Sequence, residues 1–169
     1  PLEDHIGPMS YREVQTMFDA AFPSGRQDYW KSSFLWELRD DAIDIMIARF
    51  ATVPSSQSAV LIEHLGGAVS RVGDDETAFN HRDAHYSFVI LSMWSGPTES
   101  EENIRWTDRL WQAMQPFSSG GVYVNYLGEE GEDRVKAAYG RNYERLIALK
   151  NKYDPTNFFR HNQNIKPTA

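Results

Sequence analysis

The chain has 169 residues, of which 41% are hydrophobic and 13% aromatic, which suits the core of one ordinary domain and excludes a disordered chain. Its 17 Lys and Arg residues against 24 Asp and Glu give a net charge of -7, which argues against nucleic-acid binding, because phosphate recognition needs a basic face. No apolar run approaches the roughly 18 residues that span a bilayer, and without cysteine there is no disulfide, thiolate nucleophile or zinc-thiolate site.

The chain begins with Pro1 rather than with methionine, so we expect its true start to be missing. No signal peptide is visible, but for the same reason this says little about export. We expect a soluble protein with no membrane partner, and both a cytoplasmic and a secreted location stay open.

The first fifty residues predict a helix, a strand and a second helix. Ser10 to Glu13 fits a capping box. The helix that follows should bury the apolar residues at helical spacing, namely Val14, Met17, Phe18 and Ala21. A strand is predicted over 30–38. Asp40 or Asp41 should then cap a helix whose apolar stripe contains Ile43, Met46, Ile47 and Phe50.

The middle of the chain predicts strands. Residues 59–65, "AVLIEHL", read as a strand, with Gly66 and Gly67 permitting a bulge before 68–72 continue it. Residues 85–94, "HYSFVILSMW", are the strongest strand signal in the chain.

The last seventy residues are mainly helical. Thr98 and Glu101 fit a second capping box, and the helix after them carries an apolar side with Ile104, Trp111, Met114 and Phe117. The stretch "VYVNYL" predicts a short strand. A helical region follows over 132–152, with a break expected at Gly140, and Asp154-Pro155 ends it. The order of elements indicates an α+β fold, an antiparallel sheet with helices packed on one face.

Glu63 is the first candidate for chemistry. A strand carboxylate beside flexible glycines could act as a general base if burial raised its pKa. The alternative is that Glu63 and His64 form an ordinary polar pair facing solvent.

Tyr123 to Tyr126 is the second candidate. In a strand, Tyr123 and Asn125 would share one face and Val124 and Tyr126 the other. Tyrosine can orient a substrate hydroxyl or act as a base. The alternative is an aromatic strand whose hydroxyls reach water.

No metal site is predicted, because the spacing of His64, His81 and His85 fits no established ligand pattern. A Ser-His-Asp triad is equally weak without a G-x-S-x-G turn. No phosphate-binding G-x-G-x-x-G or Walker A loop is present either.

The closing segment combines apolar and amide side chains. Phe158 and Phe159 should hold it against the body. Asn162, Gln163 and Asn164 could then satisfy buried backbone groups, or they could offer donors and acceptors to a bound ring system.

The stretch "YGRNYERLIALKNKYDPTNFFRHNQNI" resembles the carboxyl-terminal signature of the berberine-bridge-enzyme-like flavoproteins, FAD-linked oxidases of the vanillyl-alcohol-oxidase superfamily. The opening "GPMSYREVQTMFD" is similar too, so the resemblance covers nearly the whole chain. Further similar elements are Gly66-Gly67, Phe79-Asn80-His81-Arg82, the strand ending at Trp94, and Tyr123-x-Asn125-Tyr126.

The resemblance implies an enzyme with an amino-terminal FAD-binding domain that is missing here. Residues 1–130 would form the substrate-binding domain and residues 131–169 a berberine-bridge-like segment packed with it. FAD would be bound in the full-length enzyme and not by this chain alone. The implied partners are the missing domain and a small-molecule substrate, and the face left exposed favours self-association.

The resemblance also implies roles for single residues. Asn125 would touch the flavin, with Asn162 and Gln163 at the same cofactor. Tyr126 would be the catalytic base, Tyr123 the second choice, and Glu63 an active-site carboxylate. The strand ending at Trp94 often supplies a Gln or Glu where this chain has Val89, a departure that leaves the substrate class open.

The function implied is oxidation of a small hydroxylated, alcohol-like or sugar-like substrate by hydride transfer to flavin. Two alternatives stay open: a catalytically dead binding or interaction module derived from such an enzyme, and a dimeric α+β-barrel protein unrelated to flavins. The amide-rich closing segment argues against the last one.

Overall fold

The computed structural model describes residues 7–168, which form three strands and six α-helices. The strands are β1 (Gln27–Leu35), β2 (Ala59–His64) and β3 (Tyr86–Trp94). The helices are α1 (Tyr11–Thr16), α2 (Asp40–Phe50), α3 (Ala68–Arg71), α4 (Ser100–Met114), α5 (Glu132–Tyr139) and α6 (Tyr143–Tyr153).

The strands form one antiparallel sheet in the order β1-β3-β2. β3 is central, and every residue from Ser87 to Trp94 is buried, as expected for a continuous apolar run covered on both faces. The strong sequence signal of this strand is therefore confirmed.

One face of the sheet packs on helices. α4 lies across β1 and β3, and α2 packs on α4. The core between them contains Leu35, Phe88, Ile90, Leu110 and Met114. Trp106 of α4 donates its indole N–H to the carbonyl of Arg49 at 3.0 Å, which fixes the end of α2. The predicted α+β class, with helices on one face, is confirmed.

The predicted strand at "VYVNYL" is wrong. Residues Val124–Tyr126 form one turn of 3-10 helix, in which the N–H of Tyr126 donates to the carbonyl of Tyr123 at 2.9 Å. The edge of β1 is occupied by the preceding segment instead: Ser119 donates to Phe34 at 2.8 Å, and Phe34 donates to Gly121 at 3.2 Å. With that edge taken, the tyrosines are free to turn over the sheet.

The strand predicted to continue past Gly66 and Gly67 is also wrong. β2 ends at His64, and residues Ala68–Arg71 form the short helix α3. Gly67 has a φ of 64°, a left-handed conformation that favours glycine and turns the chain out of the sheet.

The helix starts agree with the sequence only in part. The capping box of α1 is present, but Val14, Met17, Phe18 and Ala21 are all exposed rather than buried. α2 begins after Arg39 with no side-chain cap, so neither Asp40 nor Asp41 is the N-cap residue. α4 begins at Ser100 because Pro97–Glu99 form a 3-10 turn, so the box predicted at Thr98 does not form.

Two apolar stripes and one strand boundary need correction as well. In α2 the buried residues are Ala42 and Met46, while Ile47 is exposed. In α4 the buried apolar residues are Trp106, Leu110 and Met114, while Ile104 and Trp111 are only partly buried. Phe117, also partly buried, lies beyond α4 in the 3-10 turn Gln115–Phe117. β1 covers Gln27–Leu35 rather than 30–38.

The carboxyl-terminal region breaks at Gly140 as predicted, between α5 and α6. The expected anchoring by Phe158 and Phe159 is wrong, since these side chains are 75% and 76% exposed. Their backbone N–H groups both donate to the carboxylate of Asp154, at 2.7 and 3.0 Å, so the loop is held from within and presents its rings outward. The division into residues 1–130 and 131–169 stays a prediction.

Candidate functional site

A row of three side chains crosses the sheet on the face opposite the helical core. Phe34 of β1 lies opposite Ser87 of β3, and Ser87 lies opposite Glu63 of β2. Because side chains alternate along a strand, this row points away from Leu35, which belongs to the core with the helices. The alternation therefore brings one carboxylate and one hydroxyl to the second face.

This row forms the floor of a cleft of about 380 Å³, within the roughly 300–1,000 Å³ typical of small-molecule sites. Its walls come from α3, from the loop before β3 and from the 3-10 turn. Besides the row, the lining residues are Leu65, Val69, Phe79, Arg82, Tyr123 and Tyr126.

Tyr126 and Glu63 meet in this cleft. The phenol of Tyr126 donates a hydrogen bond to Oε1 of Glu63 at 2.9 Å. Burial, then the hydrogen bond to Glu63 and its negative charge, raise the pKa of Tyr126 to about 12. The phenol therefore keeps its proton near neutral pH and is aimed at a carboxylate that can accept it.

Tyr123 stands beside this pair. Its ring lies edge-on to that of Tyr126, with centroids 5.3 Å apart, and edge-on to Phe79 at 5.9 Å. Its hydroxyl accepts a hydrogen bond from the amide of Asn125 at 2.8 Å. Both predicted tyrosines thus line one cleft, which a strand would have prevented, and Tyr123 is engaged with Asn125 rather than with Glu63.

The three amides predicted at the cofactor also lie together, on the other side of the 3-10 turn. Asn125, Asn162 and Gln163 line a hollow of about 520 Å³. Gln163 donates to the carbonyls of Leu127 and Gly128, at 2.9 and 3.2 Å, so its amide N–H groups hold the closing segment to the turn. Asn162 is exposed in a left-handed conformation, with a φ of 57°.

Two amide oxygens of the closing segment have no partner in the described part of the chain. The side-chain oxygens of Asn157 and Asn164 are buried and have no hydrogen-bond partner within residues 7–168. Buried polar groups are usually hydrogen-bonded, so these two oxygens are exceptions among the described residues.

Arg82 is the lining residue that sequence reasoning undervalued. Its guanidinium stacks over Phe79 at 4.7 Å and donates to the carbonyl of Val69 at 3.0 Å and to the hydroxyl of Thr77 at 2.6 Å. The signal was its place in Phe79-Asn80-His81-Arg82, just before the strongest strand.

Val89 lies two residues after Ser87 on β3, opposite Leu61 of β2, and is completely buried.

His81 has a structural position. Its Nε2 lies 2.9 and 3.1 Å from the carbonyl oxygens of Ala137 and Ala138 and so ties the loop to α5. The ring lies so close to Gly121 that a Cβ added there would come within 2.4 Å of it. In the described part of the chain, no cluster of three or more His, Asp or Glu side chains is suited to a metal ion.

No helix within residues 7–168 has the length and apolar character needed to cross a membrane.

Comparisons with known proteins find relatives in sequence and in fold. A family profile described as "Berberine and berberine like" matches residues 122–166. An FAD-linked oxidoreductase of Dictyostelium discoideum is 32% identical over 169 residues, covering 99% of this chain and 37% of the relative. An uncharacterized FAD-linked oxidoreductase of Bacillus subtilis, YgaK, is 33% identical over 171 residues, and the match again covers 99% of this chain and 37% of the relative.

The solved structure of BBE-like #28 from Arabidopsis thaliana matches 95% of this chain and 40% of its own, with a TM-score of 0.79 and 25% identity. The solved structure of berberine bridge enzyme from Eschscholzia californica matches 85% of this chain and 34% of its own, with a TM-score of 0.74 and 25% identity. The chain therefore spans well under half the length of the relatives that it matches. In sequence, in fold and in the matched closing segment, it is similar to part of the berberine bridge enzyme-like FAD-linked oxidoreductases.

Proposed function

We propose that this chain supplies the substrate-binding part of an FAD-dependent oxidoreductase. The complete enzyme would oxidise a small hydroxylated substrate, of alcohol or sugar type, by hydride transfer to flavin. The observation that carries this proposal is the hydrogen bond from Tyr126 to Glu63 inside an aromatic-walled cleft. The FAD-linked relatives support the redox class.

The proton leaves the substrate through the Tyr126–Glu63 pair. The substrate hydroxyl donates to the phenolic oxygen of Tyr126, and as the O–H bond breaks its proton moves to that oxygen while the Tyr126 proton passes to Oε1 of Glu63. A tyrosine with a pKa of about 12 holds its own proton near neutral pH, so it can accept the substrate proton only as it passes its own to the carboxylate of Glu63. Tyr126 then orients the substrate, and Glu63 holds the proton at the end of the step.

Flavin, when bound, accepts the hydride and is the electron sink. The chemistry of the described residues fits one edge of such a ring, since Asn125 and Asn162 offer amide donors and acceptors in one hollow, with the Gln163 tether between them. The remaining length found in the relatives would supply the rest of the cofactor site. We therefore expect that this chain alone does not retain FAD, and stoichiometric binding by the isolated chain would contradict this.

Anaerobic flavin reduction tests the proposed function. The protein that carries this chain together with its flavin-binding part is mixed with a panel of alcohols, sugars and hydroxy acids, and bleaching of the flavin absorbance is followed. The proposal predicts that at least one class of hydroxylated compound reduces the flavin. If the protein binds members of the panel but none of them ever reduces the flavin, the alternative of a catalytically dead binding module replaces it.

A further inference from the structure

We infer that Arg82 is the anchor for an anionic group of the substrate, so that the cleft takes a hydroxylated carboxylate with an aromatic or comparably apolar body. The inference rests on the proposed function, because the hydroxyl end of such a substrate is assigned to Tyr126 and Glu63. The inference adds the chemical class of the substrate and the orientation of the substrate in the cleft.

The charge of Arg82 is not balanced locally. None of the ion pairs formed within residues 7–168 includes it, although the chain as a whole carries a net charge of -7. Within residues 7–168 the guanidinium donates two hydrogen bonds, both to neutral acceptors, the carbonyl of Val69 and the hydroxyl of Thr77. A cation in this setting attracts an anion from solution more strongly than one already paired.

The guanidinium also retains donors. Only two of its N–H groups are engaged in hydrogen bonds within residues 7–168. Arginine offers several N–H groups in a planar fork that suits a carboxylate, and the ring of Phe79 beneath it restricts how that fork can turn. A carboxylate is therefore the ligand group that completes the site.

Glu63, which also lines the cleft, fixes the orientation. Glu63 would repel a carboxylate but accepts hydrogen bonds, and it already receives one from Tyr126. A ligand that carries both groups must therefore place its hydroxyl toward Glu63 and Tyr126 and its carboxylate toward Arg82. The lining between these ends, which includes Phe34, Val69 and Phe79, suits a ring rather than a chain of hydroxyls.

A matched pair of probes tests this. Mandelate and 1-phenylethane-1,2-diol share an aromatic ring and a secondary hydroxyl, and they differ in a carboxylate against a neutral hydroxymethyl group. Both are titrated into the chain at low salt, and the NMR signals of Tyr126 and of the Arg82 side chain are followed. We expect mandelate to bind at least about tenfold more tightly than the diol, with an affinity that falls as salt is added.

Variants assign the preference to one residue. Arg82→Gln should abolish the preference for mandelate, and Arg82→Lys should keep part of it as a point charge without the fork. Arg105→Gln, on the exposed side of α4, is the control and should bind both probes as the wild type does. If Arg82→Gln fails to fold, because Arg82 also holds Val69 and Thr77, the lysine variant and the salt dependence decide.

Equal affinity for the two probes, absence of mandelate binding, or a preference that survives in both Arg82 variants would overturn the inference. The proposed function fails separately. If neutral alcohols reduce the flavin and bind the cleft as well as carboxylates do, the oxidoreductase stands and the role of Arg82 falls. If no hydroxylated compound reduces the flavin, the proposed function falls whatever the probes show.

Discussion

The hydroxyl of Tyr126 is both protonated and directed, and these two properties have one cause. Burial disfavours the phenolate, and the carboxylate of Glu63 disfavours it further while accepting the proton in a hydrogen bond. A solvent-exposed tyrosine would have neither property. The sequence could indicate both residues, but their separation of 63 positions hides the fact that they touch.

Replacing the carboxylate of Glu63 should lower the raised pKa of Tyr126. In Glu63→Gln we expect the pKa of Tyr126 to fall from about 12 toward its ordinary value of 10.0 without reaching it, because burial is the larger cause and remains. The pKa is read from the ring signal of Tyr126 in a chain with labelled tyrosine. Glu129→Gln, on the exposed loop, should leave it unchanged. A pKa that stays near 12 in Glu63→Gln would show that the carboxylate does not act on the phenol.

The same shift predicts a stability change at alkaline pH. Between pH 10 and 12 the folded chain holds a proton on Tyr126 that the unfolded chain has lost. This contribution to the free energy of unfolding is complete below pH 10 and disappears as the pH rises to about 12. Urea unfolding should therefore show a smaller alkaline loss for Tyr126→Phe than for the wild type. Tyr29 and Tyr139, whose pKa values are also raised, are present in both proteins and cancel. An identical alkaline loss in the two proteins would count against the shift.

The loop that follows the 3-10 turn is fixed by a partly buried ion cluster. The carboxylate of Glu130 lies 2.9 Å from the ammonium of Lys31 on β1 and 3.4 Å from Nε of Arg134 on α5. Both cations also lie over the ring of Trp111, at 5.3 and 5.7 Å. Burial opposes the charge of Lys31, but Glu130 and, to a smaller extent, Tyr29 together more than offset this, so the pKa of Lys31 lies above its ordinary value. The cluster therefore holds the segment that carries Tyr126 against β1.

Glu130→Gln should destabilise the chain by about 2 kcal/mol, because it leaves two partly buried cations without their carboxylate. Chemical denaturation measures the change. Glu132→Gln is a close control, since Glu132 pairs with Lys166 on the surface, where both side chains are more than half exposed, and it should have no measurable effect. Equal effects of the two variants would mean that the burial of the cluster does not matter.

How far the sequence predicts these elements depends on what stabilises each of them. β3 could be predicted from the sequence because a buried central strand is apolar throughout. The break at Gly140 could be predicted because glycine readily adopts a positive φ, which is 49° there. The turn at Val124–Tyr126 was not, since alternating tyrosines suit a strand locally, and only the occupied edge of β1 excludes one. Glu63 and Tyr126 could be predicted as single residues, whereas Arg82 acquires its importance from side chains that the fold brings to it.

At the scale of the whole molecule, apolar surface is distributed in a way that a free-standing domain avoids. Tyr11 of α1 and Phe18, two residues after that helix, are 79% and 65% exposed, and the Asp154 loop presents Phe158 and Phe159 outward. The chain spans 37% of its curated relatives, so a large share of their length is available to cover such surfaces. We expect the flavin-binding part to be that partner, and self-association to replace it when the chain is alone.

Sedimentation velocity over a range of concentrations measures this. The isolated chain should show a mass that rises with concentration, and replacing Phe158 and Phe159 with serine should reduce the rise. Ile47→Ser, which removes one exposed apolar side chain from α2, is the control and should leave the association unchanged. A wild-type chain that remains monomeric at high concentration would contradict the expectation.

The central claim is that Tyr126 and Glu63 act together on the proton of the substrate, and the rate of anaerobic flavin reduction tests it most directly. In the protein that joins this chain to its flavin-binding part, Tyr126→Phe and Glu63→Gln should each lower that rate by about 10²–10⁴-fold. The double variant should be little slower than either single one, because the two residues form one path. Reduction at the wild-type rate in both single variants would contradict the account.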